Sequence, residues 1–233
     1  MNQKRNAFSY LILSIIGVIL IIILIWFGGS NNNMINFYDK LMVGLAFISC
    51  CLVGLSMAFK PNRLRKIIHS GKQGPKQESK PINIDRQGHH PVCEKFINHT
   101  IKFNSKILCA GCTGLAIGSI ISIVLMAIYI LFFNDISQSI LVIFIIIGMI
   151  LIAINFIEVI ISFKNTGVHI ISNVFLVLGF SFVVIGMFQL TGAIIYGLFG
   201  IIISFLWLDT RIRLSNWRHN TLCTRCSEHC KAY

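Results

Sequence analysis

Apolar residues gather into six long runs along the chain, and short polar segments separate these runs. A helix needs about 20 apolar residues to cross the hydrocarbon of a bilayer, because each residue adds about 1.5 Å. The pattern therefore predicts an all-α, polytopic membrane protein with six transmembrane helices. The predicted helices cover residues 8–28, 41–59, 113–133, 140–163, 168–188 and 192–208. The polar break at 189–192 divides two runs that together would be too long for one span.

The composition supports a membrane location. Of the 233 residues, 55% are hydrophobic and 12% are charged, and the mean hydropathy is +0.79. A soluble domain averages about 25% charged residues, so this chain has too little polar surface to cover a fold in water. Its eight cysteines are also too sparse for a disulfide-rich secreted scaffold.

The basic residues predict the orientation of the helices, because Lys and Arg in short loops are retained on the cytoplasmic side. Nineteen of the twenty basic residues lie on one predicted side of the membrane, and only Lys40 lies on the other. We therefore expect a multi-pass protein of the cell membrane with both termini in the cytoplasm. Its expected partner is a lipid bilayer with an anionic inner leaflet and not nucleic acid, since topology accounts for the basic excess.

The predicted spans divide the chain into five segments. Residues 1–59 form an N-terminal transmembrane hairpin, and residues 113–208 form four further helices. Between them lie a basic flexible cytoplasmic linker at 60–88, with three of the four prolines, and a cytoplasmic Cys/His motif at 89–112. Residues 209–233 form a cytoplasmic Cys/His tail. The first helix is expected to be a retained anchor, because its apolar stretch exceeds the about 7–15 residues usual in a signal peptide.

Cysteines and histidines cluster in two stretches that the predicted topology places on the same side. The first set is His90, Cys93, His99, Cys109 and Cys112, and the second is His219, Cys223, Cys226, His229 and Cys230. Two cysteines three positions apart can reach one ion from a tight turn, and further ligands close a tetrahedron with Zn–S distances of about 2.3 Å. We therefore predict one or two cytoplasmic metal sites.

Zinc is the favoured cofactor, and an iron–sulfur cluster and a metal-free protein are the alternatives. The tail spacing Cys-x-x-Cys-x-x-x-Cys overlaps part of a ferredoxin-type run but lacks the rest of it. Structural disulfides are not expected, because the cytoplasm is reducing. Cys109 and Cys112 also lie just before a predicted helix, whose partially positive N-terminus favours a thiolate ligand.

The text His-His-Pro-Val-Cys at 89–93, His99, and Cys-Ala-Gly-Cys-Thr-Gly-Leu-Ala-Ile-Gly at 109–118 resembles an uncharacterised family of small prokaryotic integral membrane proteins. In that family, a Cys/His element precedes a Cys-x-x-Cys-x-Gly motif at the start of a transmembrane helix. The resemblance implies no activity, because the family has none assigned. It implies that Cys93, Cys109 and Cys112 act together.

Polar residues inside the predicted spans are candidates for a function, because they are unfavourable in a bilayer. Glu158 lies near the cytoplasmic end of the fourth helix, and Asn155 shares its face. His169 and Asn173 share a face of the fifth helix, just across the turn. A contact between Glu158 and His169 would tie two helices together, which we favour, or transfer protons. Both residues are therefore weak catalytic candidates.

Two further pairs of small residues are expected to pack rather than to react. Cys50 and Cys51 lie in the middle of the second predicted helix, where cysteines usually fill space. Gly114 and Gly118 form a Gly-x-x-x-Gly step, which allows another helix to approach closely.

These features favour a scaffold, assembly factor or regulatory subunit with a structural zinc site. The alternative is a membrane-bound enzyme or redox protein, in which a metal site meets a lipid-soluble substrate at the membrane surface. A transporter ranks third, because one acidic residue in six helices gives little support for ion coupling. The sequence leaves open whether the protein is an enzyme and which proteins it binds.

Overall fold

The computed structural model describes residues 2–28, 35–59, 86–87, 100–103, 106–133, 136–161 and 165–223. Within these ranges the chain forms six long helices and three short strands. The helices are α1 (Asn2–Gly28), α2 (Phe37–Phe59), α3 (Ala110–Phe132), α4 (Gln138–Ile161), α5 (Thr166–Thr191) and α6 (Ile194–Cys223). All six are long and apolar enough to cross a membrane, which confirms the predicted number of spans.

Helix α5 forms the centre of the bundle, where most of its side chains are buried against α3, α4 and α6. Small residues allow these helices to approach closely. A Cβ atom at Gly148 of α4 would lie 2.8 Å from the carbonyl oxygen of Gly179 in α5. A Cβ atom at Gly118 of α3 would lie 3.0 Å from the Cα atom of Val174. The packing role predicted for Gly114 and Gly118 is therefore confirmed, since both meet α5.

Large apolar side chains cover the outside of the bundle. Leu131, Ile150 and Ile202 are each more than half exposed. So wide an apolar surface would be unfavourable in water. It fits the hydrocarbon of a bilayer, in which these side chains contact lipid tails.

Capping residues set the two ends of α5. The side chain of Asn165 accepts a hydrogen bond of 2.9 Å from the N–H of Gly167, which begins the helix as an N-cap. Gly192 ends it with a left-handed φ of 66°, and its N–H donates to the carbonyl oxygen of Phe188 at 2.8 Å. Because a Cβ atom disfavours this conformation, glycine separates two spans within a long apolar run.

Helix α6 is longer than predicted, since it continues fifteen residues past Leu208 to Cys223. Its last turns are held against α1. Leu214 packs on Ala7, and the hydroxyl groups of Ser14 and Thr210 share a hydrogen bond of 2.7 Å. The tail predicted from residue 209 onward therefore starts as helix. Fifteen helical residues rise about 22 Å, much less than an extended tail would reach.

Three short strands precede α3, and the sequence pattern was not used to predict them. They are β1 (Arg86–Gln87), β2 (Thr100–Phe103) and β3 (Lys106–Cys109), in the sheet order β1-β3-β2. Strands β2 and β3 are antiparallel, with Thr100 opposite Cys109. Polar and apolar residues alternate along β2, which is a strand signal. Residues 107–109 of β3 are all apolar, so this strand carries no such signal, and both strands are too short to resemble a membrane span.

Candidate functional site

Cys109 is held in place from two directions. It is the last residue of β3, where it pairs with Thr100, and it is also the N-cap of α3, with φ −77° and ψ 124°. Its carbonyl oxygen accepts a hydrogen bond of 2.9 Å from the hydroxyl group of Thr113. The side chain is buried, at 3% exposure. The step from strand to helix therefore fixes a thiol at the start of α3.

Cys112 lies one turn into α3 and completes a pair of thiols. Its thiol group is within hydrogen-bonding reach of the Cys109 thiol. Neither cysteine is part of a disulfide. Two of the predicted metal ligands are therefore side by side.

Arg211 approaches this thiol pair from α6. Its Nη2 atom lies 3.5 Å from the position that a Cβ atom would take at Gly111. The Nε atom of Arg211 is buried and has no hydrogen-bond partner among the residues described, and none of those residues forms an ion pair with it. A guanidinium group has five N–H donors and stays charged. This end of the bundle therefore holds a cation with unused hydrogen-bonding capacity.

A second arginine on α6, Arg218, has hydrogen-bond acceptors within the chain. Arg218 donates hydrogen bonds to the carbonyl oxygens of Val159 and Ile160, the second at 2.5 Å. These carbonyl groups belong to the last turn of α4, where the helix dipole favours a cation. Arg218 thus has a structural role that explains its position, whereas the described residues give the Nε atom of Arg211 no acceptor.

Glu158 and His169 are in contact, as the sequence predicted. The Nδ1 atom of His169 forms an ion pair or hydrogen bond with one carboxylate oxygen of Glu158. The other oxygen accepts a hydrogen bond of 3.0 Å from the hydroxyl group of Ser172. Ser172 also accepts a hydrogen bond of 3.3 Å from the amide of Asn155. The network ties α4 to α5, which is the favoured structural role, and its role in proton transfer stays a prediction.

One cavity of about 500 Å³ brings these groups together. Helices α2, α3, α5 and α6 enclose it, and α4 contributes at one end. Its polar end is lined by Cys109, Cys112, Glu158, His169, Asn173 and Arg211. Its wall deeper in the bundle is formed by Phe47, Leu115, Val177, Phe180, Ile201 and Phe205. The cavity therefore has a polar end and an apolar body.

Of the ten predicted metal ligands, the structure brings together Cys109 and Cys112. The residues outside the described ranges are His90, Cys93, His99, Cys226, His229 and Cys230. His219 and Cys223 belong to the last turns of α6. Only the backbone of these two residues is described. Across the described ranges, no three His, Cys, Asp or Glu side chains are arranged to hold a metal ion. The metal sites therefore stay a prediction.

Arg211, Cys50 and Cys51 line the cavity, and the sequence reasoning assigned none of them to a site. Arg211 lies beyond the predicted end of the last helix at Leu208. The apolar residues Trp207, Leu214 and Trp217 follow at spacings of seven and three, which is the pattern of one helix face and indicates that α6 continues. Cys50 and Cys51 carry no comparable signal, because a cysteine in an apolar helix more often packs.

Comparison with models of protein families, with curated proteins and with solved structures finds no match for this chain. The resemblance of residues 89–118 to a family of small membrane proteins stays a prediction for that reason. The function is therefore argued from the cavity and from the side chains that line it.

Proposed function

We propose that this protein binds a lipid-soluble, amphiphilic molecule in the cavity, with the head group of that molecule at Arg211. The observation that carries the proposal is the buried Nε of Arg211, which no described residue satisfies, at the polar end of an apolar cavity. Small-molecule sites are typically apolar cavities of about 300–1,000 Å³ with a few polar groups that orient the ligand. The cavity of about 500 Å³ has this character.

Arg211 also indicates the chemistry of the head group. A buried donor without a partner costs about 1–3 kcal/mol, and more when it is charged. Oxygen atoms of a carbonyl, carboxylate or phosphate group are the natural acceptors for a guanidinium group. A bound head group with such oxygens would satisfy Arg211, while the apolar body of the cavity would hold the rest of the molecule.

The distribution of basic residues supports a cytoplasmic position for the polar end. Helix α3 begins and α6 ends at this end of the bundle, and nineteen of the twenty basic residues belong to the same predicted side. Positively charged segments are retained in the cytoplasm. We propose that both termini lie there, in a protein of the cell membrane, with the head group near the anionic inner leaflet.

Measurement of bound lipids tests the binding function. The full-length protein is purified in a mild detergent, and bound small molecules are counted by native mass spectrometry. We expect one bound amphiphile per chain at saturation. At subsaturating amphiphile concentrations we expect about tenfold lower occupancy in Arg211→Gln, which corresponds to a loss of about 1.4 kcal/mol in binding free energy. Arg213→Gln is the matched control, because Arg213 lies two residues away, is 38% exposed and pairs with Asp209.

Two results would contradict the binding function. One is equal occupancy in the Arg211→Gln and Arg213→Gln proteins. The other is a wild-type protein that carries no amphiphile even after incubation with a total lipid extract.

A structural metal site is the second candidate, and the adjacent thiols of Cys109 and Cys112 favour it. We propose zinc, or alternatively an iron–sulfur cluster, held by these cysteines with ligands from residues 90–99 or 219–230. The protein would then act as a scaffold, assembly factor or regulatory subunit. Metal analysis and an absorption spectrum test this: a colourless zinc protein supports it, charge-transfer bands indicate iron–sulfur, and a folded, metal-free protein contradicts it.

A further inference from the structure

The thiol pair lies in the wall of the same cavity as Arg211, and this arrangement allows an inference about chemistry. We propose that Cys109 and Cys112 are a redox-active dithiol that reduces a quinone bound in the cavity. The inference rests on the proposed function, because the quinone is the bound amphiphile and its ring is the head group. It makes the cysteines reactants, whereas a structural metal site would occupy them permanently.

The two sulfurs are placed to form a disulfide. The thiol of Cys112 is already within hydrogen-bonding reach of the Cys109 thiol. Side-chain rotation can bring two such sulfurs to the S–S bond length of about 2.05 Å. Cys109 caps the N-terminus of α3, and the guanidinium group of Arg211 lies beside Gly111, between the cysteines in sequence. Both thiols and the arginine therefore line the same end of the cavity.

The electron balance selects the class of the acceptor. Two thiols that form a disulfide release two electrons and two protons. The acceptor in this cavity must take up both electrons and both protons. It must also be soluble in lipid and must offer an oxygen atom to Arg211. A quinone with an apolar tail has these properties. A fatty acid or an ordinary phospholipid satisfies Arg211 but accepts no electrons.

The reaction balances without another reactant. The two S–H bonds break and the S–S bond between Cys109 and Cys112 forms. Both carbonyl oxygens of the quinone become hydroxyl groups, so the two electrons and the two thiol protons leave with the hydroquinone. Arg211 stabilises the negative charge that develops on a ring oxygen before it is protonated. A water-soluble dithiol then restores the pair by thiol–disulfide exchange and is itself oxidised to a disulfide.

A single-turnover experiment on the full-length protein tests this reaction. The reduced protein in phospholipid vesicles is mixed with a decyl-substituted benzoquinone, and the loss of quinone absorbance is followed against vesicles without protein. Cysteines are then alkylated and mapped by mass spectrometry. We expect one quinone reduced per chain and a disulfide between Cys109 and Cys112. Cys50 and Cys51 should stay reduced and should therefore be found alkylated, which provides an internal control.

Variants then separate the roles of the thiols and the arginine. We expect Cys109→Ser and Cys112→Ser to reduce the rate to that of vesicles without protein. Arg211→Gln should slow the reaction about 100-fold, the effect of removing one donor to a developing oxyanion. Arg213→Gln should react at the wild-type rate, because Arg213 pairs with Asp209 outside the cavity. If a cysteine variant does not fold, the wild-type protein still tests the inference. A disulfide between Cys109 and Cys112 with one quinone reduced per chain supports it, and the absence of either result overturns it.

Other outcomes overturn the inference in distinguishable ways. A quinone that binds without oxidising the cysteines overturns the redox step and leaves the binding function standing. Oxidation by a lipid hydroperoxide but not by the quinone overturns the substrate class alone. Zinc that shields both thiols from alkylation overturns the inference in favour of the metal site. A protein that binds no amphiphile of any kind overturns both the binding function and this reaction.

Discussion

Each end of the bundle holds a cation, fully buried at Lys40 and partly buried at Arg211, and the two cations have different surroundings. Lys40 is 2% exposed, donates a hydrogen bond to the carbonyl oxygen of Phe133 beyond α3, and lies 4.8 Å from the centre of the Tyr129 ring. Arg211 lies near the start of α3, beside a cavity, with an Nε atom that no described residue satisfies. The comparison teaches that a structural cation is enclosed by its acceptors, whereas Arg211 has space for an acceptor that comes from outside the chain.

The surroundings of Lys40 also explain an exception in the charge pattern. Lys40 is the only basic residue on the predicted outer side. It sits where the carbonyl groups at the end of α3 are negatively polarised, so the helix terminus itself stabilises the charge. A single enclosed lysine of this kind does not oppose the positive-inside rule, which concerns charges in short loops.

Lys40→Met should have the largest effect on stability. It removes a charged hydrogen bond to the carbonyl oxygen of Phe133 and a cation–π contact with Tyr129. We expect the free energy of unfolding to fall by about 3 kcal/mol. Denaturant unfolding in detergent micelles measures this loss. If Lys40→Met is as stable as the wild-type protein, Lys40 is not a structural cation.

Glu158→Ala should have the next largest effect, because the polar end of the cavity also contains a structural element. The substitution leaves His169 and Ser172 without their acceptor. We expect a loss of about 2 kcal/mol in the same unfolding assay. Glu158→Gln is the control and should lose less, since its amide keeps one acceptor oxygen. Equal losses in the two variants would show that packing, and not hydrogen bonding, ties α4 to α5.

Arg211→Met should change stability little and in the opposite direction. Without ligand, removal of a charged side chain whose buried Nε has no acceptor among the described residues should leave the unfolding free energy unchanged or raise it by about 1 kcal/mol. With a bound amphiphile the wild-type protein should be more stable than Arg211→Met, because only the wild-type protein gains the stabilisation from ligand binding. A loss as large as that of Lys40→Met in ligand-free protein would make Arg211 a structural residue.

Arg213→Met should have the smallest effect and gives the baseline for the other arginine. Arg213 bonds Asp209 one turn away, and both side chains are more than a third exposed. Surface pairs of this kind contribute about 0–1 kcal/mol, so the change should stay within about 0.5 kcal/mol with or without ligand. A larger shift in unfolding would indicate that the packing of Arg213 on Tyr10 matters more than the ion pair.

The fold was largely predictable, because a bilayer imposes a minimum apolar length on every span. Gly192 and Asn165 mark the ends of α5 in the sequence, and both act as caps in the structure. The contact between Glu158 and His169 was also predictable, since a short turn brings α4 back beside α5. The apolar-length criterion missed the extension of α6, because charged residues beyond Leu208 interrupt the apolar run while the helix goes on packing against α1.

The sequence by itself determined the six spans and the thiol pair at the start of α3, because both depend on residues that are close together in the chain. Only the tertiary structure decided that Arg211 meets this pair and that a cavity lies beside them. That meeting joins residues about one hundred positions apart, through the continuation of α6 past Leu208. Local periodicity carries no information about such a contact, since helix packing alone sets which side chains share a space.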